Sequence, residues 1–153
     1  MVTVTPFLWF DSNADDAVDF YLAIFPDSRR TGGAKGPDGR ALTVAFELDG
    51  QPFTALNGGP QFAFTEAVSF EIDCADQVEL DYYWDRLTEG GDPEAQQCGW
   101  LKDRWGVSWQ ITPRRLMEMM KSPDRAASRR ASEAMMTMIK LDIAALEKAF
   151  KGA

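Results

Sequence analysis

Histidine is absent from all 153 residues. That omission removes the Ser-His-Asp and Cys-His nucleophile systems and any proton relay through imidazole. It also removes the commonest ligand of transition metals. Cysteine is scarce: Cys74 and Cys98 are the only two, which suits a reducing compartment and gives no disulfide framework, so each reads first as small filler. No apolar run reaches the ~18 residues needed to cross a bilayer, and no basic-then-apolar leader opens the chain; no membrane partner is expected, and the cytoplasm is the expected compartment. Positive charge is also short. Sixteen Lys+Arg stand against 24 Asp+Glu, a net charge of −8, which argues against a nucleic-acid partner. The shortage is local: residues 1–113 carry −12 and residues 114–153 carry +4. Two solvated faces would produce this split, and so would a basic tail docked on an acidic body, its own or a partner's.

Apolar residues make up 45% of the chain and aromatics 12%, ample for a core. Three of the five tryptophans fall in one stretch, Cys98–Pro113, which reads as strand, tight Asp103-Arg-Trp-Gly106 turn, strand. After the turn Val107, Trp109 and Ile111 alternate with Ser108, Gln110 and Thr112, the period-2 pattern of a strand with one apolar and one polar face.

Elsewhere the order of elements repeats. Thr3–Phe10 reads as a strand that ends at Asp11-Ser12-Asn13, a turn and helix-cap cluster. Ala14, Ala17, Val18, Tyr21, Leu22 and Phe25 then keep helical spacing, with acidic residues in the first turn and Pro26 as the stop. Ala41–Leu48 and Gln51–Leu56 form a hairpin about Asp49-Gly50. The pattern restarts with a strand over Val68–Ile72, a capping box at Asp76 and Glu79, a helix with Leu80, Tyr83, Trp84 and Leu87 on one face, and strands over 96–102 and 107–112. An offset of 62 residues aligns Asp11 with Asp73, Asp19 with Asp81 and Tyr21 with Tyr83. Two tandem βαβββ modules, about 1–60 and 66–113, follow from the shared order. The tail over 114–153 reads as three helices, two of them opened by Ser122-Pro123-Asp124 and Asp142, and expected to pack on the body or on a dimer partner. It holds six of the seven methionines, whose flexible side chains suit docking.

The segments Pro6-Phe-Leu-Trp-Phe-Asp11, Ala17-Val-Asp-Phe-Tyr21, Phe25-Pro-Asp-Ser28, Leu42–Glu47, Gln51–Gly59, Cys98-Gly-Trp100 and Asp103–Ile111 together resemble the PhnB-like branch of the vicinal oxygen chelate (glyoxalase/bleomycin-resistance) superfamily. That branch is often labelled the 3-demethylubiquinone-9 3-methyltransferase domain. The resemblance covers residues 2–113. It implies an α+β fold of paired βαβββ modules with curved mixed sheets around a cavity, and commonly a homodimer. Superfamily enzymes usually hold a divalent metal through His and Glu on the strands. Here the His positions are empty, Gln110 stands where Glu is usual, and the first module offers Asn57 or its neighbours. A neutral amide brings no charge to a metal. No resident cofactor is therefore expected, a weak oxygen-ligand site for Mg²⁺ or Mn²⁺ through Glu47 or Glu71 being the alternative. No Gly-rich turn joins a strand to a helix, so the methyltransferase label finds no Rossmann-type support.

The candidate site residues are Trp9, Phe70, Trp100 and Trp109 as aromatic walls, and Asn57, Ser69, Ser108 and Gln110 as convergent polar groups. Glu47 and Glu71 are candidate bases, each mid-strand between apolar neighbours. Core filling is the competing role for each aromatic, and an outward-facing strand position for each polar group. The expected function is binding of a small organic molecule; the alternative is an isomerase, lyase or dioxygenase that uses one of the two glutamates.

Overall fold

A computed structural model describes residues 1–153 and divides into two units, residues 1–64 and 65–153. The first holds β1 (Phe7–Phe10), α1 (Ala14–Ile24), β2 (Arg29–Lys35), β3 (Ala41–Leu48) and β4 (Gln51–Asn57). Its sheet runs β1-β4-β3-β2, with β1 parallel to β4 and the remaining pairs antiparallel. Asp49 and Gly50 both take positive φ (48° and 83°), the geometry of the tight hairpin turn joining β3 to β4. Alternation along β3 buries Val44, Phe46 and Leu48 on the face that meets α1. The helix buries Ala17, Val18 and Tyr21 there, and Tyr21 stacks on Phe46. Each fully buried side chain of this size stabilises by about 1.5–3 kcal/mol. The expected cap cluster before α1 does not supply the cap. Asn13 makes no side-chain cap bond; Asn57, 43 residues on from Ala14, accepts from the Ala14 N–H at 2.8 Å instead.

The second unit holds β5 (Ser69–Cys74), α2 (Gln77–Leu87), β6 (Trp100–Lys102), β7 (Ser108–Pro113), α3 (Arg114–Met120), α4 (Arg125–Met136) and α5 (Ile143–Lys151). Its sheet order is β5-β7-β6, again with the first strand parallel to the last and the last two antiparallel. Both sheets are thus mixed, of four and three strands. The second module departs from the expected four by one strand. The stretch 96–102 pairs only over Trp100–Lys102 and a single Gln97–Trp100 bridge. Pro93 opens a single turn of 3-10 helix, and Cys98 and Gly99 turn the backbone with positive φ (53° and 82°), which leaves no extended run for a longer strand.

The caps expected at Asp76, Asp124 and Asp142 are formed: each carboxylate accepts the N–H three residues on. The second tail helix ends earlier than its apolar pattern suggests. The chain leaves α4 at Thr137, and Met138 and Ile139 offer their carbonyls to the N–H groups of Cys98 and Gly99, both at 2.8 Å. Two of the tail's nine cations pair with acidic residues of the body of this unit, Arg114 with Asp73 and Lys140 with Asp81, each at 3.0 Å. No helix is long and apolar enough to cross a membrane.

Candidate functional site

The register of the three-stranded sheet decides which candidates meet. Ser69 lies beside Ser108, Glu71 beside Gln110, and Trp100 beside Gln110 from the other edge. With side chains alternating, Ser69, Glu71, Ser108, Gln110, Thr112, Trp100 and Lys102 share one face. Phe70 and Trp109 take the other. There they face α2, their rings 5.5 Å apart, and Trp109 is buried with its indole N–H on Asp103 at 3.0 Å. Of these two expected ligand contacts, Trp109 is a core residue and Phe70 is half-buried beside it, because the period of 2 that brings the hydroxyls together turns the adjacent rings away.

The polar face floors a cleft of about 630 Å³, within the size usual for small-molecule sites. Its far wall comes from the tail: Leu116, Met117, Met120, Met135, Met136 and Leu141. Gln110 donates its amide to the Ser69 hydroxyl at 2.8 Å, which fixes the amide and leaves its carbonyl oxygen without a protein donor. Ser108 is 1% exposed, borders the cleft, and its hydroxyl has no hydrogen-bond partner. A buried hydroxyl left unpaired costs about 1–3 kcal/mol. Lys102 is held by Glu66 at 2.7 Å, which draws the Glu66 carboxyl below the usual range, chiefly through that hydrogen bond. Glu71 also borders the cleft and makes no ion pair.

Three candidates lie in the first unit. Trp9 donates its indole N–H to the Gly59 carbonyl at 2.9 Å, meets Phe62 edge-on, and lies so close over Gly58 that a Cβ there would fall 2.3 Å from its ring. Asn57 is committed at both ends of its amide, to Ala14 N–H and to the Ala41 carbonyl at 3.0 Å; it borders a second, acidic cleft with Asp11, Asp38 and Arg40. The strand registers also separate it from Gln110: Trp9 pairs with Leu56 as Glu71 pairs with Gln110, so the counterpart of Gln110 in the first module is Leu56. Glu47 meets Arg29 at 3.4 Å across the β2–β3 pair.

Two contributors went unnoticed in the sequence. Asp103, inside the expected turn, is a buried carboxylate that accepts from Trp105 N–H, Val107 N–H and the Trp109 indole, all at 3.0 Å, and so holds β7 against the turn. The methionine wall was legible as an apolar tail but not as part of the site. A metal of the kind the superfamily uses does not fit these residues. No group of three or more His, Cys, Asp or Glu side chains comes together, and the cleft floor offers one carboxylate and one amide with no imidazole.

Paired mixed sheets, each with its first strand parallel to its last and a helix on one face, define the glyoxalase/bleomycin-resistance class within the vicinal oxygen chelate superfamily. Solved structures agree. The PhnB protein of Bacillus cereus is similar at TM-score 0.64 and 29% identity, over 73% of this chain and 99% of its own. The fosfomycin resistance protein FosX of Listeria monocytogenes shares the fold at TM-score 0.57 and 16% identity, over 79% and 98%. A glyoxylase/bleomycin resistance protein/dioxygenase domain from Frankia sp. EAN1pec does so at TM-score 0.51 and 17% identity, over 74% and 92%. The 3-demethylubiquinone-9 3-methyltransferase family matches residues 2–112, and the chain belongs to that family. Comparison with curated proteins gives no match.

Proposed function

We propose that the chain binds a small organic molecule in the cleft of residues 65–153, without a resident transition metal. The observation that carries this is the buried, unpartnered Ser108 hydroxyl on the cleft floor. Gln110 beside it presents a free carbonyl oxygen, so the floor offers both a donor and an acceptor to one ligand group. Methyl transfer from a nucleotide-type donor finds no support in the local geometry. The turns after β1 and β5, Asp11-Ser12-Asn13 and Ala75-Asp76, contain no glycine to bring a backbone close to a phosphate or ribose.

The test is Ser108→Ala. Without ligand the variant melts at nearly the same temperature as the parent or higher, because the hydroxyl it removes has no partner to lose. In a thermal-shift screen of small alcohols and ketones, compounds that stabilise the parent lose that effect. A variant that melts lower yet keeps every ligand shift overturns the reading. Metal analysis of protein purified without chelators addresses the second clause: a stoichiometric transition metal defeats it.

A second reading rests on Glu71, an unpaired carboxylate at the cleft beside Gln110. As a base it would take a proton from a carbonyl compound held on Ser108, in an isomerase- or lyase-type reaction. Glu71→Gln that binds such compounds but loses turnover supports this; unchanged turnover rejects it. Homodimer assembly is part of the same proposal, supported by the exposed Phe7 and Phe62 in residues 1–64. A single-chain mass in light scattering rejects the dimer alone.

A further inference from the structure

We infer that the C-terminal tail sets the ligand class of this cleft, and that the site takes an apolar, ring- or chain-bearing molecule whose head is uncharged or cationic. The inference rests on the reading of the cleft as a binding site. The family match stops at residue 112, and the Bacillus cereus relative covers 73% of this chain while being spanned almost completely itself. The wall opposite the polar floor therefore lies outside the span that the family model matches. It is built from methionines: Met117, Met120, Met135 and Met136 all border the cleft. Unbranched thioethers mould to flat or extended apolar bodies and make favourable contacts with aromatic rings.

The wall is firmly seated. Gln77 on α2 donates to the Leu141 carbonyl at 3.1 Å and accepts from the Ile143 N–H at 2.8 Å, so one side chain clamps the backbone of the returning tail. On the opposite edge Cys98 and Gly99 donate to Met138 and Ile139. Gly99 is required there, since a Cβ would lie 3.0 Å from Leu141 and 3.1 Å from the Ile111 carbonyl oxygen.

The head-group preference follows from the charges. Lys102 is the only cation on the cleft, and Glu66 neutralises it at 2.7 Å. Glu71 and Glu94 also border the cleft and have no cationic partner, so the local field is negative. An anionic head would meet that field; an ammonium or a hydroxyl would not, and Ser108 can accept from the first or donate to the second.

Protein with methyl-labelled methionines tests both parts, because six of the seven methionine signals report the tail. Naphthalenemethanol, naphthylmethylamine and naphthoate serve as neutral, cationic and anionic probes with one shared apolar body. The alcohol and the amine are expected to shift the signals of Met117, Met120, Met135 and Met136 together with the Trp100 indole and Gln110 amide signals. Naphthoate binds weaker by about tenfold or more. Met136→Lys, at a position 59% exposed on that wall, removes an apolar contact from both probes and adds a cation, so it weakens the amine by about tenfold more than the alcohol. Naphthoate binding as tightly as the amine overturns the head-group assignment. Shifts at Trp100 and Gln110 with silent methionines overturn the tail wall and leave the binding site standing. No binding by any probe overturns both.

Discussion

Asp103 is 2% exposed, an unusual place for a carboxylate. Its two oxygens collect two backbone N–H donors from the β6–β7 turn and the Trp109 indole N–H from β7, so the charge is compensated by hydrogen bonds that reach the strand carrying Ser108 and Gln110. Asp103→Asn keeps the shape but turns an NH₂ toward an N–H donor. The expected loss is about 1–3 kcal/mol, read as a lower denaturant midpoint with an unchanged slope. A full-strength variant would mean that the turn stands without the carboxylate. The cysteines differ just as sharply. Burial, ahead of the neighbouring carboxylates, pushes the Cys74 thiol up to about 12, and it lies wholly inside unit two's core. Cys98 is half-buried at the cleft. Iodoacetamide at pH 8 should therefore label Cys98 in the native protein and Cys74 only in denaturant, since the thiolate is the nucleophile. Peptide mapping that finds native Cys74 alkylated would contradict its burial.

The element on which the site most depends is the returning segment 138–143, and one side chain, Gln77, holds it at two points. Gln77→Ala removes the bonds to Leu141 and Ile143 and a third to Asp81 at 2.8 Å. The expected cost is about 1–3 kcal/mol, with faster amide exchange at Ile143, Cys98 and Gly99 than elsewhere in the sheet. The tail's ion pairs add a pH dependence. The Asp81 carboxyl is held low by the Gln77 hydrogen bond first and by Lys140 second, and Glu147 is held low by Arg115. A carboxyl lowered in the folded state contributes fully above its unfolded value, about 4, and its contribution fades as pH falls through the lowered folded value. The tail methionine signals should broaden or move below about pH 4 before the backbone amide signals of the sheet, and more readily in high salt, although both carboxyls are well exposed and the effect is modest. Legibility in the sequence follows the same division. Asp76, Asp124, Asp142 and the Asp49-Gly50 turn act within four residues, so their elements could be read directly. Period 2 showed that Ser108 and Gln110 share a face, but not that Phe70 and Trp109 are the pair pressed on α2, because which face is covered depends on a helix elsewhere in the chain. The Gln77 clamp joins residues 64 and 66 apart, and the α1 cap joins Asn57 to Ala14 across 43. Contacts at such separations leave no local pattern. The strand read over 96–102 is a subtler case: it is shortened to Trp100–Lys102 because Cys98 takes a backbone conformation that nothing in its side chain requires.

For the molecule as a whole, the decisive fact is where the walls of the cleft come from. Every lining residue lies between Glu66 and Leu141, inside the unit of residues 65–153. The sheet gives the polar floor, and the tail of the same chain gives the apolar side. A fold that exposes one sheet face must cover it with something, since a side chain as large and apolar as Trp100 on that face is poorly left to water. Here every residue of that cover belongs to the same chain. Assembly and binding should accordingly be uncoupled. If chains pair in solution, dilution through the dissociation range changes the mass but leaves the affinity for naphthalenemethanol and a stoichiometry of one per chain intact. Were a partner subunit to supply a wall, affinity would fall in step with dissociation, because a ligand that binds only the dimer is linked to it by mass action. Titrating the probe by fluorescence at protein concentrations on either side of the midpoint found by light scattering separates the two cases, and a parallel loss of binding and dimer would show that the tail alone does not close the cleft.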